Sequence, residues 1–170
     1  MKVFSVNLIL ILMFFGGKVE GQLLDELTKK WENAAAYTLE VAHLMPLENY
    51  NFQPAKEVMT FGEQLLHITF NMNWLGNRYL NANLHSIDSF NGITEKDLII
   101  KILDEGFNNA LQAMRSLALE ELDDEVDFFA GSLTKRQIIH LMHDHLTHHR
   151  GQLIIYLRMR GIEPPRYIGW

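Results

Sequence analysis

The sequence predicts an all-α protein, a four-helix bundle that follows an N-terminal signal peptide. Long segments of the 170-residue chain place apolar residues at helical spacing, and no segment shows convincing strand alternation. Threonines that can cap a helix precede three of these segments. Four helices of about 20 residues or more, without strands, are typical of a four-helix bundle.

The composition excludes several functional classes. The chain has 15 Lys and Arg against 21 Asp and Glu, a formal net charge of −6, and no basic run. We therefore expect no nucleic-acid partner, because binding to a phosphate backbone requires clustered lysine and arginine. The absence of cysteine excludes disulfides, CxxC metal sites and a cysteine nucleophile. The 8 histidines are then the candidate functional residues.

Residues 1–21 have the layout of a secretory signal peptide. Lys2 gives a positive start, Val3 to Phe15 is mostly apolar, and Val19-Glu20-Gly21 resembles a small-x-small cleavage pattern. An uncleaved anchor or a buried helix are the alternatives, although the apolar run is short for a membrane span. We expect cleavage near Gly21 and a domain of residues 22–170 that is periplasmic or secreted; without a real signal peptide the protein would be cytoplasmic.

The first helix of this domain is predicted from about Leu23 to Leu44, before Pro46. Its apolar stripe consists of Leu24, Leu27, Trp31, Ala35, Leu39 and Ala42. Residues 46–59 contain two prolines and are predicted to form a loop. The second helix is predicted after Thr60, which forms a capping box with Glu63, and continues to about residue 80. It is apolar nearly all round, which favours a central position.

The third helix is predicted after Thr94, with Asp97 as a near variant of the capping-box acid. Its inward residues would be Leu98, Ile99, Ile102, Leu103, Phe107 and Leu111. Residues 81–92 are predicted to be a loop, and the acidic residues 119–132 a connection. The fourth helix is predicted after Thr134, which pairs with Gln137, and to stop near Arg160, because Gly161 suits a C-terminal cap.

The inward face of the fourth helix is polar in its middle. Positions at alternating steps of four and three are Ile138, Met142, His145, His149, Gln152, Tyr156 and Met159. His145 and His149 lie one turn apart on one face, with Cβ atoms about 5–6 Å apart, close enough to bind one ion. The alternative is a pair of core histidines bonded to carbonyls or to each other, since a buried imidazole needs partners.

The remaining histidines differ in their predicted positions. His67 lies in the apolar middle of the second helix; such a histidine is usually a satisfied core residue, yet it is also placed to meet the pair across the bundle. His148 has a flanking or a surface position, and His140 and His143 should be solvated on the opposite face. No role is assigned to His43 and His85.

Three segments resemble the DinB family, also known as DinB/YfiT-like metalloenzymes. They are HHRGQLIIYLRMRGIEPPRY (residues 148–167), MTFGEQLLHI (residues 59–68) and WENAAAYTLEVAHLMP (residues 31–46). The resemblance implies a four-helix bundle in which three histidines hold a divalent metal ion. Carried over residue by residue, it implies the metal ligands His67, His145 and His149.

Three imidazoles suit zinc, nickel or iron, and they leave a coordination position for water or substrate. Relatives in the family include thiol transferases and isomerases, which implies a metal-dependent enzyme that acts on a small molecule by thiol transfer or hydrolysis. Low-molecular-weight thiols are mainly intracellular, so export weakens the thiol assignment. The alternative is a non-catalytic metal-binding or partner-binding bundle. A homodimer is possible, and no stable membrane insertion is expected after cleavage.

Supporting roles are open for four polar residues. Gln152 and Tyr156 could orient a substrate. Glu63 could be an acceptor or base near the metal, although the capping box already uses it. Arg150 belongs to the RGQ motif of the resemblance, but a surface ion pair would explain it equally well.

Overall fold

The computed structural model describes the backbone of residues 3–82 and 92–170, and the side chains of residues 22–82 and 92–170. It confirms the predicted four-helix bundle. The helices are α1 (Val3–Leu44), α2 (Phe61–Tyr79), α3 (Lys96–Ser116) and α4 (Lys135–Met159). Helices α1 and α2 each pack against both α3 and α4 and are therefore diagonal to each other. Most of the predicted loop of residues 81–92 lies outside the described residues.

One hydrophobic core joins the helices, and Trp31 on α1 lies within it. Its side chain is fully buried, and its indole N–H donates to the Phe107 carbonyl of α3 at 3.1 Å. Helices α2 and α3 approach closely where Gly106 faces Thr69. A Cβ atom on Gly106 would lie 2.7 Å from the Cγ2 of Thr69, so only glycine fits without a shift.

Two of the three predicted capping boxes are confirmed. The Thr60 hydroxyl accepts from the Glu63 N–H at 3.2 Å, and the Glu63 carboxylate accepts from the Thr60 N–H at 2.8 Å. Thr134 and Gln137 form the same reciprocal pair before α4. Gly161 has a φ of 74° just past α4, as a left-handed C-terminal cap requires. The local sequence therefore determines where α2 and α4 begin. These are the two helices that carry the candidate histidines.

The predicted capping box at Thr94 is wrong. The residue that caps α3 is Glu95, without a side-chain hydrogen bond to the helix. Its carboxylate instead accepts from the Thr94 N–H at 3.2 Å, so Asp97 makes no box with Thr94. Leu98 was expected to face inward but is 42% exposed. The other aliphatic and aromatic positions predicted for this helix are buried or partly buried, namely Ile99, Ile102, Leu103, Phe107 and Leu111.

The predicted connection of residues 119–132 contains regular structure that the sequence did not indicate. A 3-10 turn, Leu119–Asp123, leads into an antiparallel hairpin of β1 (Glu125–Phe128) and β2 (Gly131–Thr134). Glu125 pairs with Thr134, and Phe128 pairs with Gly131. Strands of four residues are too short to show alternation clearly, and acidic residues in β1 resemble a loop. The expectation of no strands is therefore wrong at this one place.

Helix α1 begins earlier than predicted, at Val3 instead of about Leu23, and passes continuously through the predicted cleavage position. Apolar residues such as leucine and methionine favour a helix in this segment. Within the described part of the chain, none of the helices is both long and apolar enough to cross a membrane. The signal peptide stays a prediction.

Candidate metal centre

Three histidines from two helices meet at one point of the bundle. His67 comes from α2, and His145 and His149 come from successive turns of α4. One ring nitrogen of each lies within 4.8 Å of the other two. The Nε2 atoms of His67 and His145 are 3.1 Å apart, and the ring centroids of the three pairs are 4.5, 4.6 and 4.9 Å apart. The structure thus brings together the three residues that the sequence singled out.

Two glutamines fix the orientation of the His149 ring. The Nδ1–H of His149 donates to the Oε1 of Gln64 at 3.0 Å and to the Oε1 of Gln152 at 3.1 Å. Gln64 is fully buried on α2, three residues before His67. Since Nδ1 carries the proton, Nε2 of His149 keeps a free lone pair.

The hydrogen bonds around His149 extend to the protein surface at His148. The amide nitrogen of Gln152 donates to Nε2 of the exposed His148 at 3.2 Å. His148 is therefore a flanking residue at the surface, and Gln152 bonds to both His148 and His149. Tyr156 is likewise occupied, because its hydroxyl donates to the Met59 carbonyl at 3.0 Å.

Burial keeps the three imidazoles neutral. Burial, and after it the neighbouring imidazoles, lower the pKa of His145 and of His149 to about 4. Burial also lowers the pKa of His67. Neutral rings are the form that binds metal ions. Among the described residues, the cluster includes no carboxylate or further histidine.

The donor set fits a divalent metal ion. Two imidazole nitrogens that each lie about 2.0–2.1 Å from a tetrahedral zinc ion are about 3.3 Å apart, close to the spacing of the His67 and His145 Nε2 atoms. Without an ion, one of these two nitrogens has to carry a proton and donate to the other. With an ion, both lone pairs bind it. Three histidines that could hold a metal are therefore present, with His67 and His145 partly exposed and His149 buried.

His143 is buried, so the prediction that it is solvated is wrong. Its side chain is 2% exposed, and its Nε2–H donates to the Leu27 carbonyl of α1 at 3.3 Å. Its ring meets Trp31 edge-on, with centroids 5.0 Å apart. Helix α1 covers this face of α4, which the angle from the histidine pair alone could not reveal. His140 is exposed as predicted.

Arg150 is also buried, which rules out the surface ion pair. It is 5% exposed, and its guanidinium donates to the Ala34 carbonyl at 3.3 Å and the Thr38 hydroxyl at 3.5 Å. The guanidinium carbon lies 4.9 Å from the centre of the Tyr37 ring, a cation–π contact. Arg150 therefore joins α4 to α1. The RGQ motif was the one sequence signal that set it apart.

Other predicted positions have simple outcomes. Met159, the last residue of α4, is 54% exposed and not part of the inward face. His43 is exposed near the end of α1, without a link to the cluster. His85 lies outside the described residues.

A cavity of about 560 Å³ opens beside His67. It lies between the first turns of α2, the loop that precedes them and the start of α3. Its walls are Tyr50, Asn51, Met59, Thr60, Gly62, Glu63, Leu66, His67, Phe70, Gly92, Ile93, Thr94 and Ile99. A small molecule in this space would contact one of the three histidines directly.

Comparison with known families agrees with this architecture. The sequence model of the DinB family matches residues 18–168. The chain belongs to the DinB family. The match includes all four helices for most or all of their length, and all three clustered histidines, so the expectation drawn from the three resembling segments is confirmed.

Similar DinB-family proteins come from two bacilli. The chain is 28% identical over 128 residues to an uncharacterised protein, YjoA, of Bacillus subtilis (strain 168), which covers 73% of this chain and 82% of YjoA. The crystal structure of that DinB-like protein superposes with a TM-score of 0.69, at 24% identity, over 84% of this chain and 97% of the other. A DinB-like protein from Bacillus cereus ATCC 10987 superposes with a TM-score of 0.76, at 16% identity, over 84% and 96%. These structures show the shared fold.

Proposed function

We propose that this DinB-family chain is an exported metalloprotein that holds a divalent metal ion with His67, His145 and His149. The observation that carries the proposal is the convergence of three neutral imidazoles, with a nitrogen of each within 4.8 Å of the others. The two glutamines that hold His149 support it, because a metal-bound histidine usually donates its other N–H to an acceptor. Zinc, nickel and iron all suit this donor set.

The proposed activity is a metal-dependent reaction on a small molecule, either thiol transfer or hydrolysis. A divalent ion with three protein ligands supplies an open position, where it lowers the pKa of a bound water or thiol. Partial exposure of His67 and His145 gives a small molecule access to this point. Gln64 and Gln152 hold the His149 ring, and the cavity beside His67 accommodates the substrate.

The metal site is tested by elemental analysis and metal titration of the wild-type protein and of His145→Ala. His140→Ala is the matched control, because it removes an exposed imidazole from the same helix. We expect stoichiometric metal in the wild type and the control, and loss of tight binding in His145→Ala at unchanged helicity. The proposal would be contradicted if the wild-type protein were purified without chelator, titrated with zinc and still found free of metal. That result would favour imidazoles that bond to each other.

The activity is tested with thiol-transfer and hydrolysis substrates on the same metal-loaded sample. Turnover that is lost in His149→Ala but kept in His140→Ala would support an enzyme. Turnover that survives replacement of all three clustered histidines would contradict it.

A non-catalytic metal-binding or partner-binding bundle is the second candidate. One observation favours it: among the described residues, no carboxylate joins the histidine cluster, and the nearby Glu63 is used by the capping box. This candidate predicts bound metal without turnover of any substrate in the panel.

Export is a separate part of the proposal. It is supported by the charge and hydropathy pattern of residues 1–21. N-terminal sequencing of the protein recovered from outside the cytoplasm should give a start near Gln22. Recovery from the cytoplasm alone, with Met1 intact, would contradict export.

A further inference from the structure

The charged side chains near the cavity beside His67 indicate which ligands it can bind. Among the described residues that line it, Glu63 carries the one formal charge, and neither lysine nor arginine contributes. The nearby ammonium group of Lys96 donates to the carbonyls of His43 and Met45 at 2.9 and 2.7 Å and lies 5.5 Å from the centre of the Tyr50 ring. The described walls of the cavity therefore offer a ligand one charged group, the Glu63 carboxylate.

The Glu63 carboxylate is only half used by the helix cap. One oxygen, Oε2, accepts from the Thr60 N–H at 2.8 Å. The other, Oε1, accepts no hydrogen bond from a described residue, and the side chain is exposed at the cavity. Glu63 lies four residues before His67 on α2, so the two side chains are neighbours on the same helix face.

The rest of the cavity is largely apolar. Leu66 and Ile99 are buried in its wall, and Phe70 is 47% exposed one turn after Leu66. Tyr50 adds a second aromatic ring, whose hydroxyl already donates to the Ala42 carbonyl at 2.8 Å. The exposed ring of Phe70 and the Glu63 carboxylate both attract cations, and the aliphatic groups favour an apolar body.

We propose that this cavity binds a small organic cation, an ammonium group on an apolar body, with Glu63 as its counter-ion. This ligand is a substrate only if the proposed metal-dependent activity is correct, so that part of the inference rests on the proposed function. Anionic ligands, such as carboxylates or phosphate esters, find no lysine or arginine in that part of the cavity lining that the structure describes.

The test titrates full-length, metal-free protein with two probes that share a phenylethyl body and differ in their charged group, 2-phenylethylammonium and 3-phenylpropanoate. Binding is followed by amide chemical shifts of residues 60–70. An exposed ion pair is worth up to about 1 kcal/mol, so we expect the ammonium to bind about fivefold more tightly than the carboxylate. Metal-free protein is used because a divalent cation would itself attract the anion.

The decisive variant is Glu63→Gln. Glutamine at this position retains the capping box, so the helix start is preserved while the charge is removed. We expect the preference for the ammonium to disappear in Glu63→Gln and to persist in Glu40→Gln, which removes an exposed charge from α1. Equal binding of the two probes to the wild type, or a preference unchanged in Glu63→Gln, would overturn the inference.

The metal titration of the same samples separates the two proposals. Metal binding without a preference for the ammonium would overturn the cavity inference and leave the metal site standing. A preference for the ammonium that depends on Glu63, in protein that binds no metal, would support the cavity as a cation site and contradict the proposed function.

Discussion

Replacing Gln64 should weaken metal binding, by an amount that depends on Gln152. The Nδ1–H of His149 has two acceptors, Gln64 at 3.0 Å and Gln152 at 3.1 Å. In Gln64→Met, a side chain of similar shape removes one acceptor and leaves the other. A hydrogen bond contributes about 0.5–1.5 kcal/mol, and the remaining acceptor compensates for part of its loss, so the single change should lower metal affinity by about twofold, the lower end of this range.

The double variant Gln64→Met/Gln152→Met should lower metal affinity by a larger factor than the product of the factors for the two single variants. It leaves the buried Nδ1–H without either acceptor, and loss of all support for a metal-bound histidine costs about 10- to 100-fold in affinity. The two acceptors substitute for one another, so the double-mutant cycle should give a clear coupling.

Competition with a chromophoric chelator measures the affinities, and far-UV circular dichroism checks the fold. Gln112→Met is the matched control, because Gln112 is exposed on α3, away from the cluster. The reasoning is refuted if both single variants and the double variant bind metal as tightly as the wild type. It is also refuted if Gln64→Met alone loses as much affinity as the double variant.

The remaining predictions concern helix packing and pH. The free energy of unfolding in urea should be about 1–3 kcal/mol lower for Gly106→Ala than for Gly151→Ala. Both variants gain helix propensity, but only the new Cβ at position 106 would clash, at 2.7 Å from the Cγ2 of Thr69. Equal stabilities would show that α2 and α3 can separate freely. Metal affinity should persist to a lower pH than it would for free imidazole, because burial lowers the pKa of all three ligands, to about 4 for His145 and His149, and protons compete with the metal only where the rings take them up. A loss that begins near pH 6.5, as for free imidazole, would contradict this environment.

Much of the fold could be predicted because its determinants are local. The starts of α2 and α4 follow from Thr60 with Glu63 and Thr134 with Gln137, pairs that bond within one helical turn. The pair on α4 could also be predicted, since a spacing of four residues places His145 and His149 on one face in any helix. The same reasoning failed at Thr94, where the side chain of Glu95 competes for the same N–H.

The supporting residues could not be predicted, because their partners lie on other helices. His143 contacts Leu27, more than 100 residues earlier in the chain, and Arg150 contacts Ala34 at a similar separation. On a helical wheel, His143 is predicted to be solvated, and Arg150 is equally well explained by a surface ion pair. The bond of Gln64 to His149 likewise depends on how α2 and α4 pack.

The sequence by itself determined four helices, the caps of two of them and the family to which the chain belongs, because periodicity, capping pairs and motifs are properties of short segments. Only the tertiary structure decided that α1 covers one face of α4, that His67 reaches the α4 pair, and that Glu63 borders the cavity beside His67. The physical reason is that side-chain direction within a helix is set by spacing. What each side chain meets is set by the packing of helices far apart in the chain.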